Sequence, residues 1–311
     1  MQLNMNFRIL ISSLILSCFI FCAKDPSRYY PNNIQNNYYT IKVLDYFDLP
    51  YTSQDVTGLE IDYYADSNGV PLFNYKGRDY YNPVSVAQRI FPLLNSYVLT
   101  NDTAYLARAE QFTKVLYDLS YLYGDARFFP YEFDYGMHAN ESTLLLAPWY
   151  SGMAQGHLLT VYSRLYQLTH NPEYLEICSQ IFNSFDYYFG ESDPWIGYID
   201  SLNFYWIEEY PINPPDHTLN GFIFAIYGLY DYYMINKSIH VKTVLDQAIS
   251  TIEYYISYFR NPGGSSYYCL KHKHIDTNYH YIHIQQLKCL YKMTGEPYFS
   301  QMADSLKMDY Y

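Results

Sequence analysis

With 311 residues, 50% of them apolar, the chain can bury the core of one large or two modest domains. Tyrosine occurs 42 times, so any single tyrosine is a packing or surface residue before it is a catalytic one. A formal charge of −12 excludes a surface that attracts nucleic acid as a whole, and an anionic ligand therefore needs a local basic pocket.

Residues 1–22 carry Arg8 and then ILISSLILSCFIFC, an apolar run too short for a comfortable membrane span and suited to a signal-peptide core. The expectation is an exported protein: periplasmic, held at the outer surface, or secreted. Ile15-Leu16-Ser17-Cys18 resembles a bacterial lipoprotein box, and Cys22 is a second candidate for a lipid anchor to a bacterial membrane. Cys178, Cys269 and Cys289 lack CxxC spacing and read as buried thiols, with a Cys269–Cys289 disulfide left open.

Residues 23–83 are rich in tyrosine, asparagine and aspartate without a helical period. Asp66-Ser67-Asn68-Gly69 stands between IDYY and PLFNY and predicts a small β-hairpin, and Gly77-Arg78-Asp79 a further turn.

From residue 84 the pattern becomes helical and repeats. Ser85 to Leu99 predicts a helix, Thr100-Asn101-Asp102 a capping turn, and Ala104 onward a second helix ending near Tyr123. The same order recurs at Ser151 to Leu168, Thr169-His170-Asn171-Pro172 and a helix ending near Phe189, then at Tyr281 to Met293 and Thr294-Gly295-Glu296-Pro297. Tyr105, Tyr174 and Tyr298 are separated by 69 and 124 residues, which leaves room for one more pair, Leu219 to Ile235 and Val241 to Phe259. The fold expected for 84–311 is mainly α: an incomplete α/α toroid of four helical hairpins behind a small N-terminal β-hairpin region, with the inter-hairpin loops at one end.

Three of those loops carry the chemistry. Glu208-Glu209-Tyr210-Pro211, with Pro214 and Pro215, is a stiff extended loop that runs into Asp216-His217-Thr218, where either Asp216 or Thr218 suits a helix N-cap. The loop from Arg127 to Tyr135 alternates like a strand and leads through His138 to Pro148-Trp149-Tyr150-Ser151-Gly152-Met153-Ala154-Gln155-Gly156, whose small residues allow close approach to a ligand or a neighbouring helix. Asn261 to His283 holds Lys271, Lys273 and four histidines, the one concentrated cationic patch of an acidic chain, suited to a carboxylate or sulfate held against aromatic rings. His280 and His283 at i, i+3 would share a helix face, but no H-E-x-x-H or complete ligand set is visible, so neither catalytic metal nor cofactor is expected, and a structural metal stays open.

PWYSGMAQG at 148–156, EEYP with LNGF between 208 and 222, and YYCLKH with NYHYIHIQQL between 267 and 287 resemble, in the same order, the C-terminal catalytic domain of D-glucuronyl C5-epimerases. Those enzymes convert glucuronate to iduronate within heparosan-type polysaccharides. The resemblance implies an α/α toroid, Glu209, Tyr210 and Tyr279 as catalytic groups, and Tyr268 as a further active-site tyrosine. The substrate-binding set read with it is Tyr268, Lys271, His280, His283, Trp149, Gln155, Asn220 and Tyr81. Where vertebrate members carry an arginine in YDLRH this chain has Lys271, which gives up bidentate carboxylate binding. Those members also place a β-sandwich ahead of the helical domain, for which residues 23–83 leave no room.

Inverting C5 of a uronate requires removing a proton α to a carboxylate and delivering one to the opposite face. Tyr210 and Tyr279 are expected to flank C5, with Glu209 on the substrate carboxylate and Lys271 and His280 offsetting charge. The expected partner is an anionic uronate-containing polysaccharide, not nucleic acid, and a homodimer stays open. Three rivals remain: a polysaccharide lyase on the same scaffold, a glycoside hydrolase pairing Glu208 or Glu209 with Glu132 or Asp134, and a non-catalytic glycan-binding lipoprotein.

Overall fold

The computed structural model describes residues 31–310 apart from 62 and 140–142. The N-terminal run read above as a signal-peptide core, with Cys18 and Cys22, lies outside the described residues.

The described residues form eight helices: α1 (Pro83–Thr100), α2 (Thr103–Leu119), α3 (Gly152–Thr169), α4 (Pro172–Asn183), α5 (Leu219–Ile235), α6 (Ile239–Tyr255), α7 (Thr277–Thr294) and α8 (Pro297–Asp309). Consecutive helices pack as hairpins, and α1, α3, α5 and α7 pack in succession as the inner layer. α1 and α7 do not pack on each other to a comparable extent, so the toroid is incomplete, as its four hairpins predict.

The recurring turn has one chemistry. Thr100, Thr169 and Thr294 each donate to the carbonyl four residues back, at 2.6, 2.7 and 2.7 Å, and accept the N–H two residues on, at 3.2, 3.2 and 3.1 Å. The next residue, Asn101, His170 or Gly295, takes the left-handed conformation that ends the inner helix, with φ of 56°, 56° and 74°. Asp102, Asn171 or Glu296 then caps the outer helix. The α5–α6 turn departs from this: Asn236 is extended and its own side chain accepts the Ser238 N–H.

α3 and α5 cross closely because glycine faces glycine. A Cβ on Gly228 would lie 2.8 Å from Gly156 Cα, and one on Gly156 would run into Ala225. Gly156 thus serves a neighbouring helix, while Gly152 leaves room for Ile207 and the Glu208 backbone. Gly228→Ala is expected to push backbone against backbone and cost about 1–3 kcal/mol; an unchanged denaturation midpoint would contradict the packing.

Residues 31–60 form a strap across the C-terminal ends of the inner helices. Lys42 N–H donates to Met293 O on α7 (2.8 Å), Tyr230 OH on α5 donates to Lys42 O (2.9 Å), Arg164 Nη2 on α3 donates to Pro50 O (2.8 Å), and Asn95 Nδ2 on α1 donates to Tyr51 O (2.8 Å). Tyr51 stacks on Phe91 at 4.2 Å and also meets His157, Phe224 and Tyr227, which fills that end of the ring. Arg164 is itself buried against Asp231, its Nε 3.1 Å from Oδ2.

The N-terminal hairpin falls one turn later than the sequence predicts. β1 (Phe73–Tyr75) pairs with β2 (Arg78–Tyr80) around Lys76-Gly77, while Asp66 to Gly69 closes only a single bridge between Ala65 and Pro71. The Asp66 carboxylate is spent on the N–H groups of Asn68 and Val70 and on Tyr81 OH. The sulfurs of Cys178, Cys269 and Cys289 are free, so the disulfide left open above is not formed.

Candidate active site

With one end strapped, the loops that precede α3, α5 and α7 gather at the other. Short strands hold them: β3 (Tyr121–Tyr123) with β4 (Ala126–Phe128), β5 (Pro130–Tyr131) with β8 (Trp149–Tyr150), β6 (Tyr135–Gly136) with β7 (Leu144–Leu145), and β9 (Gly197–Ile199) with β10 (Tyr205–Ile207). Strand β10 delivers Glu208, Glu209 and Tyr210 directly over the start of α5. A Cβ on Gly221, in the first turn of α5, would lie 2.7 Å from Glu209 Cβ, so only glycine leaves room for that carboxylate.

Four of the predicted residues converge. Tyr268 OH lies 3.4 Å from each Glu209 carboxylate oxygen and donates to them, Tyr210 OH is 3.3 Å from Tyr268 OH, and the Tyr279 ring stands edge-on to Tyr268 at 4.6 Å. Tyr210 reaches this point from the loop after β10, Tyr268 from the loop before α7, and Tyr279 from the first turn of α7. Tyr210 and Tyr279 are half-buried, whereas Tyr268 and Glu209 are buried.

Burial, reinforced by the Asp216 and Glu208 carboxylates, pushes Glu209 up to about 7 from 4.5, against the hydrogen bonds from Tyr210 and Tyr268. Burial and the Glu209 charge hold Tyr210 and Tyr268 well above the ordinary phenol value, and the same two causes raise Tyr279. The phenols are therefore neutral at pH 7 while Glu209 titrates there.

An aromatic wall continues from this cluster. Tyr135 stacks on Tyr210 at 5.8 Å, and Trp149 lies 6.1 Å from Tyr210 and stacks on Tyr131 at 4.0 Å. Beyond Trp149 a cleft of about 490 Å3 runs past Trp195, Pro211 and Ile212. A larger cavity of about 730 Å3 lies elsewhere, between the strap and α6, and holds none of these groups.

The other predicted residues are placed differently. Lys271 is exposed and its Nζ donates to Pro214 O at 2.9 Å, bracing the EEYP loop. Gln155 is buried and bonds Phe129 N, Arg127 O and Ser184 Oγ. Tyr81 OH donates to Asp66. Asn220 is buried beside Gly221, its main-chain oxygen accepting from Gln286 Nε2 at 2.9 Å. His280 and His283 do share a helix face, but it is a buried one: both rings are fully buried on Ser266 Oγ, at 3.0 and 2.8 Å, and His280 also reaches Tyr310 O. Neither presents a free ring to a ligand, because the face that aligned them also buries them.

Two features are not visible in the sequence. Tyr135 is one tyrosine among 42 and only its stacking distinguishes it. Glu208, adjacent to Glu209, plays a separate part. It accepts from His217 N at 3.1 Å, and His217 Nδ1 lies 2.6 Å away with its ring stacked on Trp206 at 4.0 Å. Glu208 is thereby tied to His217, while Glu209 faces the phenols.

Comparison with known proteins bears on the fold and the family. Two solved structures share the fold: an α-1,6-mannanase from Salegentibacter sp. (TM-score 0.54, 15% identity, covering 79% of this chain and 65% of that one) and the cellobiose 2-epimerase of Bacillus thermoamylovorans (TM-score 0.53, 14% identity, 76% and 62%). A D-glucuronyl C5-epimerase of Caenorhabditis elegans is 26% identical over an alignment of 183 residues that covers 53% of this chain and 29% of that protein's length. The family model for the D-glucuronyl C5-epimerase C-terminus matches residues 124–308, which include every tyrosine of the cluster, and by that match the chain belongs to the D-glucuronyl C5-epimerase C-terminus family.

Proposed function

We propose that the protein inverts C5 of a uronate within an anionic polysaccharide, D-glucuronate to L-iduronate in a heparosan-like chain, by removing and returning a proton. The observation that carries this reading is the gathering of three phenols from two loops and a helix start around one carboxylate that titrates near neutrality.

Neutral phenols enter the reaction as proton donors, so the acceptor is Glu209. Tyr210, which hydrogen bonds to Glu209, passes its O–H proton to that carboxylate as its oxygen takes the proton from C5. Tyr279 gives its own proton to the opposite face of the carbanion, leaving a phenolate that Glu209 reprotonates through Tyr268. Glu209 thus serves as proton store, in place of the substrate-carboxylate contact expected from the sequence. Trp149, Trp195 and the cleft between them suit the neighbouring sugar rings of a polymer.

The hydrolase alternative finds less support. Glu132 and Asp134 are exposed, Glu132 accepting from Tyr121 OH and Asp134 from Ala147 N, while Glu208 is locked by His217. The lyase alternative shares the carbanion and differs in its fate. Incubation with unsulfated heparosan followed by disaccharide analysis separates the two: iduronate should appear with no ultraviolet absorbance from an unsaturated uronate. Growing absorbance with chain shortening would replace the epimerase with a lyase.

A further inference from the structure

We propose that His138, Asp216, Cys269 and His272 form a tetrahedral Zn2+ site that ties together the three loops behind Tyr268. One ligand atom from each of the four lies within 4.8 Å of all the others. His272 Nδ1 is 2.6 Å from Asp216 Oδ1, His138 Nε2 is 3.1 Å from Asp216 Oδ2, and Cys269 Sγ is 3.7 Å from His138 Nε2. Zinc bound by nitrogen and oxygen at about 2.0–2.1 Å and by sulfur at about 2.3 Å has ligand–ligand edges of about 3.3–3.7 Å, so closing the set needs shifts of only about 1 Å.

The donors select the ion. Two imidazoles and a thiol favour zinc over the oxygen-seeking calcium and magnesium, and four protein ligands fill the tetrahedron and make the site structural. Asp216 and Cys269 are fully buried, and the side chains that hydrogen bond to Asp216 are His138, His272, Cys269 and Thr218. Among the described residues no lysine or arginine bonds that buried carboxylate, and a bound cation supplies the missing charge. Backbone N–H groups of His272 and His274 point at the Cys269 sulfur, an arrangement that stabilises a metal-bound thiolate.

The location gives the ion its role. Cys269 follows Tyr268 in the chain, Asp216 leads into α5 below Glu209, and the His138 ring stands edge-on to Tyr268 at 5.9 Å. His138 and Asp216 are 78 residues apart and His138 and Cys269 131, which is why no spacing motif shows the set in the sequence. The site stands independently of the reaction proposed above.

The test is metal content and spectroscopy of the purified full chain. After dialysis against metal-free buffer the wild type should retain about one Zn2+ per chain, and Cys269→Ser and His138→Ala should retain at least about tenfold less. Cobalt exchanged into the wild type should give a near-ultraviolet thiolate-to-cobalt band, a readout that needs no folded variant. Loss of zinc in chelator should lower the wild-type melting temperature, reversibly on adding Zn2+. Wild-type protein with neither stoichiometric zinc nor a thiolate band would overturn the proposal and leave Asp216 simply hydrogen-bonded to the two imidazoles. Cobalt bound without that band would overturn it equally, as adventitious metal on the exposed His272 and His274.

Discussion

Glu209→Gln is expected to slow C5 inversion by about 10²–10⁴ and yet to make the protein more stable above pH 7. The carboxyl is raised in the fold from 4.5 to about 7, first by burial, so the folded protein holds its proton more tightly than the unfolded chain does. The stability this contributes is fully present below pH 4.5 and is lost as pH rises through 7. Glutamine mimics the protonated acid, so wild type and variant should coincide near pH 4.5 and diverge to about 3 kcal/mol in favour of the variant by pH 8. Denaturant titrations at both pH values check this, and equal destabilisation at both would refute the buried, raised carboxyl. In the wild type the inversion rate should rise with pH through an apparent pKa near 7, because only ionised Glu209 accepts a proton.

The second large effect falls on the phenols at either side of the carbanion. Tyr210→Phe and Tyr279→Phe should each reduce inversion by about 10²–10⁴, with near-UV and far-UV circular dichroism unchanged. Both side chains are half-buried at the rim of the loops, and phenylalanine keeps the stacking of Tyr210 on Tyr135 and the edge contact of Tyr279 with Tyr268. Tyr81→Phe loses only the bond to Asp66 and serves as the control: its inversion rate should stay within about twofold of wild type. A Tyr279→Phe protein that inverts at the wild-type rate would move the second proton donor elsewhere.

The helical frame is legible in the sequence because its turn chemistry is written locally. A threonine, a left-handed residue and a cap recur at the spots where the inner helix ends and the outer one begins, and the apolar period runs on either side. The fourth hairpin, which lacks that turn, shows only as the gap between tyrosines 174 and 298. The strap is not legible: residues 31–60 carry no period, and their course is set by bonds to helices as distant in sequence as Met293.

The site divides in the same way. Glu209, Tyr210, Tyr268 and Tyr279 stand out as long motifs in order, and the structure brings these four together. Gln155 and His280 sit inside or beside the same motifs, yet their polar atoms are consumed in tying loops to helices, and His283, fully buried beside them, spends its Nδ1 on Ser266. A sequence motif preserves whatever the loops need, whether contact with a ligand or support for a contact, and burial is what separates the two. The His138, Asp216, Cys269 and His272 set depends wholly on the fold, since its members come from three separate segments.

The central claim is that one acidic carbon sits between phenols that exchange its proton. Incubating the wild-type protein with heparosan in D2O and following C5 by NMR tests it most directly. The account predicts deuterium at C5 in both the gluco and the ido residues, with the chains uncut and the label lost from the reaction in Tyr210→Phe and Tyr279→Phe. Binding of the polymer with C5 fully protonated, or deuterium incorporation undiminished in both variants, would contradict it.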